Sequence, residues 1–152
     1  MNNLLKIFAA LFFSVSLYAE TVSVMTFNVE NLFDNKNDAY KTDETYLEFS
    51  KKQTPRHIKN CEKISTKRWR DDCLYIDWTD EVIEHKLNSI ASVILSYGSN
   101  GPDIIGLQEV ENKRILKQLF KKLDGAGYEH YVLLEGSAVS YTHLRAHETL
   151  AD

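Results

Sequence analysis

Several features that would place a chain at once are scarce in this sequence. It has two cysteines in 152 residues, and neither has histidine or cysteine partners at the spacing a zinc site requires. No apolar run reaches the ~20 residues that a membrane-spanning helix needs; the strongest candidate, Ile7 to Tyr18, stops short. Cations are not in excess either. A formal net charge of −4 and a pI near 5.7 exclude a global attraction to nucleic acid or to anionic membranes, so any polyanion contact needs a local patch. What remains is ordinary globular composition, 43% hydrophobic and 26% charged. At ~100–200 residues per domain, the length suits one domain or part of a larger one.

The first residues, "MNNLLKIFAALFFSVSLYAE", carry one early cation, Lys6, then a short apolar stretch, then Ala19 before a polar restart. Residues 1–19 therefore read as a secretory signal peptide. A buried N-terminal helix is the poorer reading, because Phe12 and Phe13 have no polar face opposite them. We expect export to the periplasm or medium, a mature chain starting near Glu20 and no membrane span after cleavage. With no cysteine near the cut, a lipid anchor is not expected. Export also bears on Cys61 and Cys73, which enclose "EKISTKRWRDD". In an oxidising compartment such a pair suits a disulfide, worth ~3 kcal/mol on the chain-entropy estimate; two free thiols are the alternative.

Thr21 to Phe27 is rich in β-branched and apolar residues on both alternating faces, which predicts a strand buried on both sides. It runs into Asn28, Glu30 and Asn31. From Asp34 to Asp77 no sustained period appears, so 34–77 reads as a long loop or insertion, a length that argues for a functional or variable region. Within it Lys51, Lys52, Arg56, Lys59, Lys63, Lys67, Arg68 and Arg70 face the single acid Glu62. This run, with Trp69 inside it, is either a solvated face or a grip on a phosphate backbone through Lys67, Arg68 and Arg70, with the ring free for stacking. A helix follows: Thr79 suits its cap, Asp80 and Glu81 its positive start, and Gly98 its end. Ile83, Leu87, Ile90, Ile94 and Tyr97 form its apolar stripe. "DIIGLQ" predicts a buried strand, "ENKRILKQLFKKLDG" a helix packing Ile115, Leu116, Leu119, Phe120 and Leu123 inward, and "YEHYVLLEG" a third strand. The alternation predicts an α/β core with its first two strands side by side.

Parallel neighbours would bring Asn28 and Glu109 out at the same sheet edge, where open α/β sheets hold ligands. A carboxylate there suits Mg²⁺, which takes one or two protein carboxylates and completes its shell with water and phosphate. The plainer alternative pairs such a glutamate with a lysine and such an asparagine with local backbone.

"VMTFNVENLFD" and "PDIIGLQEVENKRIL", in this order and separated by a capped helix, resemble the endonuclease/exonuclease/phosphatase family, to which deoxyribonuclease I belongs. The resemblance spans roughly residues 21–137. It implies a four-layer α/β/β/α sandwich and hydrolysis of phosphoesters with a divalent cation, usually Mg²⁺ with Mn²⁺ or Ca²⁺ as alternatives. It also implies catalytic and metal-binding roles for Asn28 and Glu109. Export and the basic run favour nucleic acid, DNA before RNA, as the substrate. A phosphatase, a lipid phosphodiesterase and a non-catalytic polyanion-binding module are the rivals.

The family's later Asp-x-Asn motif and Asp-His pair do not follow Glu109. Residues 138–152, "AVSYTHLRAHETLAD", read instead like translated adapter sequence, a non-native tail behind a partial domain at 20–137. The pair His143 and His147 in this tail is not the zinc-protease signature, because Leu144 stands where that motif has glutamate. We therefore expect a domain that is incomplete, poorly stable and inactive by itself, since one sheet of a two-sheet sandwich leaves apolar surface in water.

Overall fold

The computed structural model describes residues 21–39, 41–134 and 148–151; the expected signal peptide and both tail histidines lie outside them. Strand β1 (Val24–Leu32) pairs in parallel with β2 (Ile104–Val110), in register from Val24↔Ile104 to Asn28↔Gln108. Ser23 and Asp103 clip the entry to this pair: the Ser23 amide and hydroxyl both donate to Asp103 Oδ2, at 2.7 and 2.6 Å. That clip fixes which residues emerge together at the far end. Strand β3 (Val132–Leu134) is shorter than its sequence suggests. Strand β4 (Glu148–Ala151), from the stretch read as a tail, lies antiparallel between β2 and β3, giving the order β1-β2-β4-β3.

Two helices, α3 (Asp80–Leu95) and α4 (Lys113–Lys122), cover one face of this mixed sheet. Thr79 caps α3 by accepting from the Val82 amide, and Ile83, Leu87, Ile90 and Ile94 are buried as their spacing demands. Tyr97 is not; it is 52% exposed, because the helix ends at Leu95 and the turn carries this ring off the stripe. The double-sided burial expected of β1 is also absent. Its residues alternate, with Met25 and Phe27 packed on the core and Val24 65% exposed. Among the described residues a helical layer covers only one face, and no second sheet meets the other. No helix among them is long and apolar enough to cross a membrane.

Helix α4 is anchored at its start. Asn112 Oδ1 accepts from the amides of Arg114 and Ile115, at 2.9 and 3.1 Å, satisfying two donors that the first turn leaves open. Asn112→Ala is expected to cost about 1–2 kcal/mol, read as a lower urea midpoint at unchanged slope.

The insertion is not a structureless loop. It holds short 3-10 turns at Glu44–Tyr46 and Phe49–Lys52, then helices α1 (Pro55–Glu62) and α2 (Lys67–Tyr75). Both helices are too short to announce a period, yet the local signals are there: Thr54 caps α1 and Pro55 occupies its first turn. A Cys61–Cys73 disulfide joins the two. His57, buried between them, makes a 3.0 Å hydrogen bond with the Cys73 carbonyl. Lys52 is the surprise in the basic run. It is 1% exposed, and its Nζ donates to the carbonyls of Thr45 and Ile76, at 2.5 and 2.7 Å. It fastens the insertion and does not belong to any basic surface. A stack of Phe33 on Tyr46 with Trp78 against its edge seats the insertion beside the end of β1.

Candidate functional site

Past Asn28↔Gln108 the β1–β2 register shifts, and pairing resumes at Leu32↔Val110. Val29, Glu30 and Asn31 thus stand opposite the single residue Glu109. To fit, Glu30, Asn31 and Glu109 adopt left-handed backbone, at φ of 51°, 63° and 64°. That conformation costs a non-glycine residue roughly 1–2 kcal/mol, and such strain concentrates at functional sites.

The bulge turns its polar groups onto one carboxylate. Asn28 Nδ2 donates to Glu109 Oε1 at 2.8 Å, and the Asn31 amide donates to Glu109 Oε2 at 3.1 Å. Asn28 Oδ1 in turn accepts from the Glu30 amide at 2.9 Å. Asn28 and Glu109, eighty-one positions apart, are therefore in direct contact.

This donor set fits a hard cation. Each oxygen of Glu109 is held by one N–H and keeps acceptor capacity, and Asn31 Oδ1 is buried at the same turn without a hydrogen-bond partner. Asn28 presents a donor to this carboxylate. Its oxygen is engaged by Glu30, so its geometry orients the carboxylate.

Two neighbours escape a motif-based reading. Lys86 Nζ donates to the Glu30 carbonyl at 2.7 Å; burial lowers its pKa, against the opposing pull of Glu30 and Glu109. Tyr46 has its pKa raised, first by burial, then by the charges of Asp72 and Glu109. A signal for Lys86 existed: it stands three residues after Ile83 and four before Ile90, on the flank of the α3 stripe.

Beside this site lies a second polar knot. Arg114 Nε meets Asp34 Oδ2 at 2.8 Å and its Nη2 meets Asp38 Oδ1 at 2.6 Å, which holds the guanidinium firmly charged. Glu111, 3% exposed, accepts the Asp34 amide at 2.9 Å. Burial pushes its carboxyl up to about 8, the Asp34 amide opposing, and the charge of Asp34 and both the side-chain contact and the charge of Asp43 reinforcing.

The basic residues are divided. Lys67 pairs with Asp71, and Arg70 Nη1 donates to the Ile64 carbonyl at 2.8 Å. Arg68 is exposed with no ion pair among the described residues, and Trp69 beside it is 51% exposed. His57, Cys61 and Cys73 also cluster at metal-binding range, but both sulfurs are spent in the disulfide.

No curated protein and no solved structure matches the chain. A family model does match, over residues 74–136. The matched stretch contains α3, β2, α4 and Glu109, and leaves Asn28 and the basic side chains of α1 and α2 outside it. The matching model is that of the endonuclease/exonuclease/phosphatase family, and to that family these residues are similar.

Proposed function

We propose that this is an exported, divalent-metal-dependent hydrolase of phosphodiester bonds, acting on nucleic acid, whose complete domain is a four-layer sandwich. The observation that supports this reading best is the 2.8 Å contact between Asn28 Nδ2 and Glu109 at the carboxyl ends of two parallel strands. Glu109 would hold the cation. Asn28 and the Asn31 amide keep its carboxylate aimed, and Lys86 softens the repulsion that Glu30 and Glu109 present to an incoming phosphate. Bound there, Mg²⁺ supplies neutralisation of charge on the phosphate oxygens and the leaving group. Arg68, Lys59 and Trp69 on the exposed sides of α1 and α2 favour a nucleic-acid strand over a small phosphoester, since charge and stacking together suit a chain of nucleotides.

Hydrolysis also needs a group to activate water, and by family resemblance that group comes from the Asp-x-Asn and Asp-His motifs, which do not follow Glu109 here. We therefore expect the 152-residue chain to bind Mn²⁺ or Mg²⁺ without turnover. The reading frame continued past Ser137 is expected to nick plasmid DNA with Mg²⁺ and to stop with EDTA. Absence of nicking, or nicking indifferent to EDTA, rejects the proposal. Salt-sensitive DNA binding with no cation binding at Glu109 would favour the polyanion-binding module instead.

A further inference from the structure

Apart from the strand-end site, one corner of the molecule gathers carboxylates of which two are only half satisfied. Asp38, Asp43 and Glu111 each offer a carboxylate oxygen, and these atoms lie within 4.8 Å of one another. Asp43 and Glu111 are each 3% exposed. One oxygen of each is accounted for: Asp43 Oδ2 accepts the Asp38 amide at 2.8 Å, and Glu111 Oε2 accepts the Asp34 amide at 2.9 Å. The other two, Asp43 Oδ1 and Glu111 Oε1, are buried with no hydrogen-bond partner among the described residues. A buried carboxylate oxygen has given up its water, and without a donor or a cation nothing offsets that loss.

The charges are equally unbalanced. Asp34, Asp38, Asp43 and Glu111 meet here, and the ion-paired cation among the described residues is Arg114, which serves Asp34 and Asp38. Neither Asp43 nor Glu111, the two side chains that carry the orphaned oxygens, has an ion-paired cation of its own among the described residues. The third, Asp38, has its side chain 20% exposed, which opens the corner to solvent on one side and gives an ion a way in.

We propose that Asp38, Asp43 and Glu111 bind a divalent cation of calcium's size, which clamps the start of the helical insertion to the end of β2. All-oxygen ligation suits a hard cation. Ca²⁺ takes its ligands at ~2.3–2.6 Å in flexible geometry, so ligands on opposite sides of it stand roughly 4.6–5.2 Å apart. Mg²⁺ demands near-ideal octahedral geometry at ~2.0–2.1 Å and keeps several waters, so a corner that supplies three protein carboxylates suits Ca²⁺ better. The site is separate from the phosphodiester site: Glu109 takes no part in it, and its role is to hold the insertion, and with it Tyr46, against the strand ends.

The test is thermal unfolding of the purified chain, first in EDTA and then with excess CaCl₂. Saturating Ca²⁺ is expected to raise the midpoint by at least about 5 °C. The shift persists in Glu109→Ala and disappears in Asp43→Asn and Glu111→Gln. Terbium gives a readout that does not depend on stability. Tyr46 donates its amide to the Asp43 carbonyl at 2.9 Å, and the Trp78 ring centre is 5.2 Å from that of Tyr46. Exciting these rings should sensitise bound Tb³⁺, Ca²⁺ should compete the emission away, and Asp43→Asn with unchanged circular dichroism should lose it. Should Asp43→Asn fail to fold, the more exposed Asp38→Asn serves in its place and is expected to weaken the emission. No Ca²⁺ shift and no competable emission would overturn the proposal, leaving a proton shared between Asp43 and Glu111. A shift abolished by Glu109→Ala and untouched by Asp43→Asn would overturn it too, while leaving the proposed function standing.

Discussion

Glu109→Ala is expected to weaken Mn²⁺ binding at the strand-end site by more than about 100-fold, read as free Mn²⁺ by electron paramagnetic resonance. The bound derives from its neighbours: groups that merely orient a metal ligand are worth about 10–100-fold in affinity, and a ligand is worth more than its support. Asn28 is such a support, through its 2.8 Å bond to Glu109 Oε1, so Asn28→Ala should fall inside that range. Glu109→Gln is not a mild change here. Both oxygens of Glu109 accept N–H groups, and a glutamine amide would set its own N–H against one of them. Loss of fold is not the explanation in reserve. Asn28 is exposed, so water can replace the missing acceptor, and the expected stability change is about 1 kcal/mol. Asn28→Asp would behave differently again, because two facing carboxylates repel until a cation sits between them. Its unfolding midpoint should therefore climb with Mn²⁺ more steeply than that of the wild type. Equal Mn²⁺ affinity in Glu109→Ala and wild type would remove Glu109 from the site.

The parts legible in the sequence were those with long periods or explicit caps. Helix α3 follows from Thr79 and an apolar stripe over four turns, and the β1–β2 pairing from two apolar runs flanking it. The contact between Asn28 and Glu109 follows in turn, because parallel register carries both to one edge. What the sequence hid was short or non-local. Helices α1 and α2 are 8 and 9 residues long, about two turns each, and their order comes from a disulfide and a buried histidine, not from a stripe. Lys52 reads as one more surface cation until the carbonyls of Thr45 and Ile76 close over it. Glu111 looks like the twin of Glu109, two positions on and just past the end of β2, yet one reaches the sheet edge and the other is sealed beneath the insertion. Three residues in left-handed backbone decide which is which, and nothing about Glu30, Asn31 or Glu109 as residue types demands that conformation. Tertiary pairing imposes it.

Lys52 should make stability depend on pH in alkaline solution. Burial lowers its pKa from 10.5 to about 8, with Asp77 and Asp72 pulling the other way. In the unfolded chain the amine keeps its proton up to its ordinary pKa; in the folded chain it gives the proton up near 8. Between those values the unfolded state binds more protons, so stability rises with pH. Below pH 8 both states are charged, the slope vanishes and the whole penalty of burying the ammonium is present. The total relief is on the order of 3 kcal/mol at 1.36 kcal/mol per pKa unit, about 2 kcal/mol of it between pH 8 and 9.5. Measurement should stop there, because Tyr46 and Tyr128 have raised pKa values and reverse the trend once tyrosines ionise. The comparison is urea unfolding of wild type and Lys52→Met across that window. Methionine keeps the apolar stem but leaves the Thr45 and Ile76 carbonyls without this donor, a constant cost that shifts the curve without tilting it. The expected result is therefore a difference in slope: wild type gains more stability from pH 8 to 9.5 than Lys52→Met does, the burial-lowered Lys86 contributing equally to both. Parallel curves would mean that the two carbonyls, at 2.5 and 2.7 Å, stabilise the ammonium well enough to cancel its desolvation.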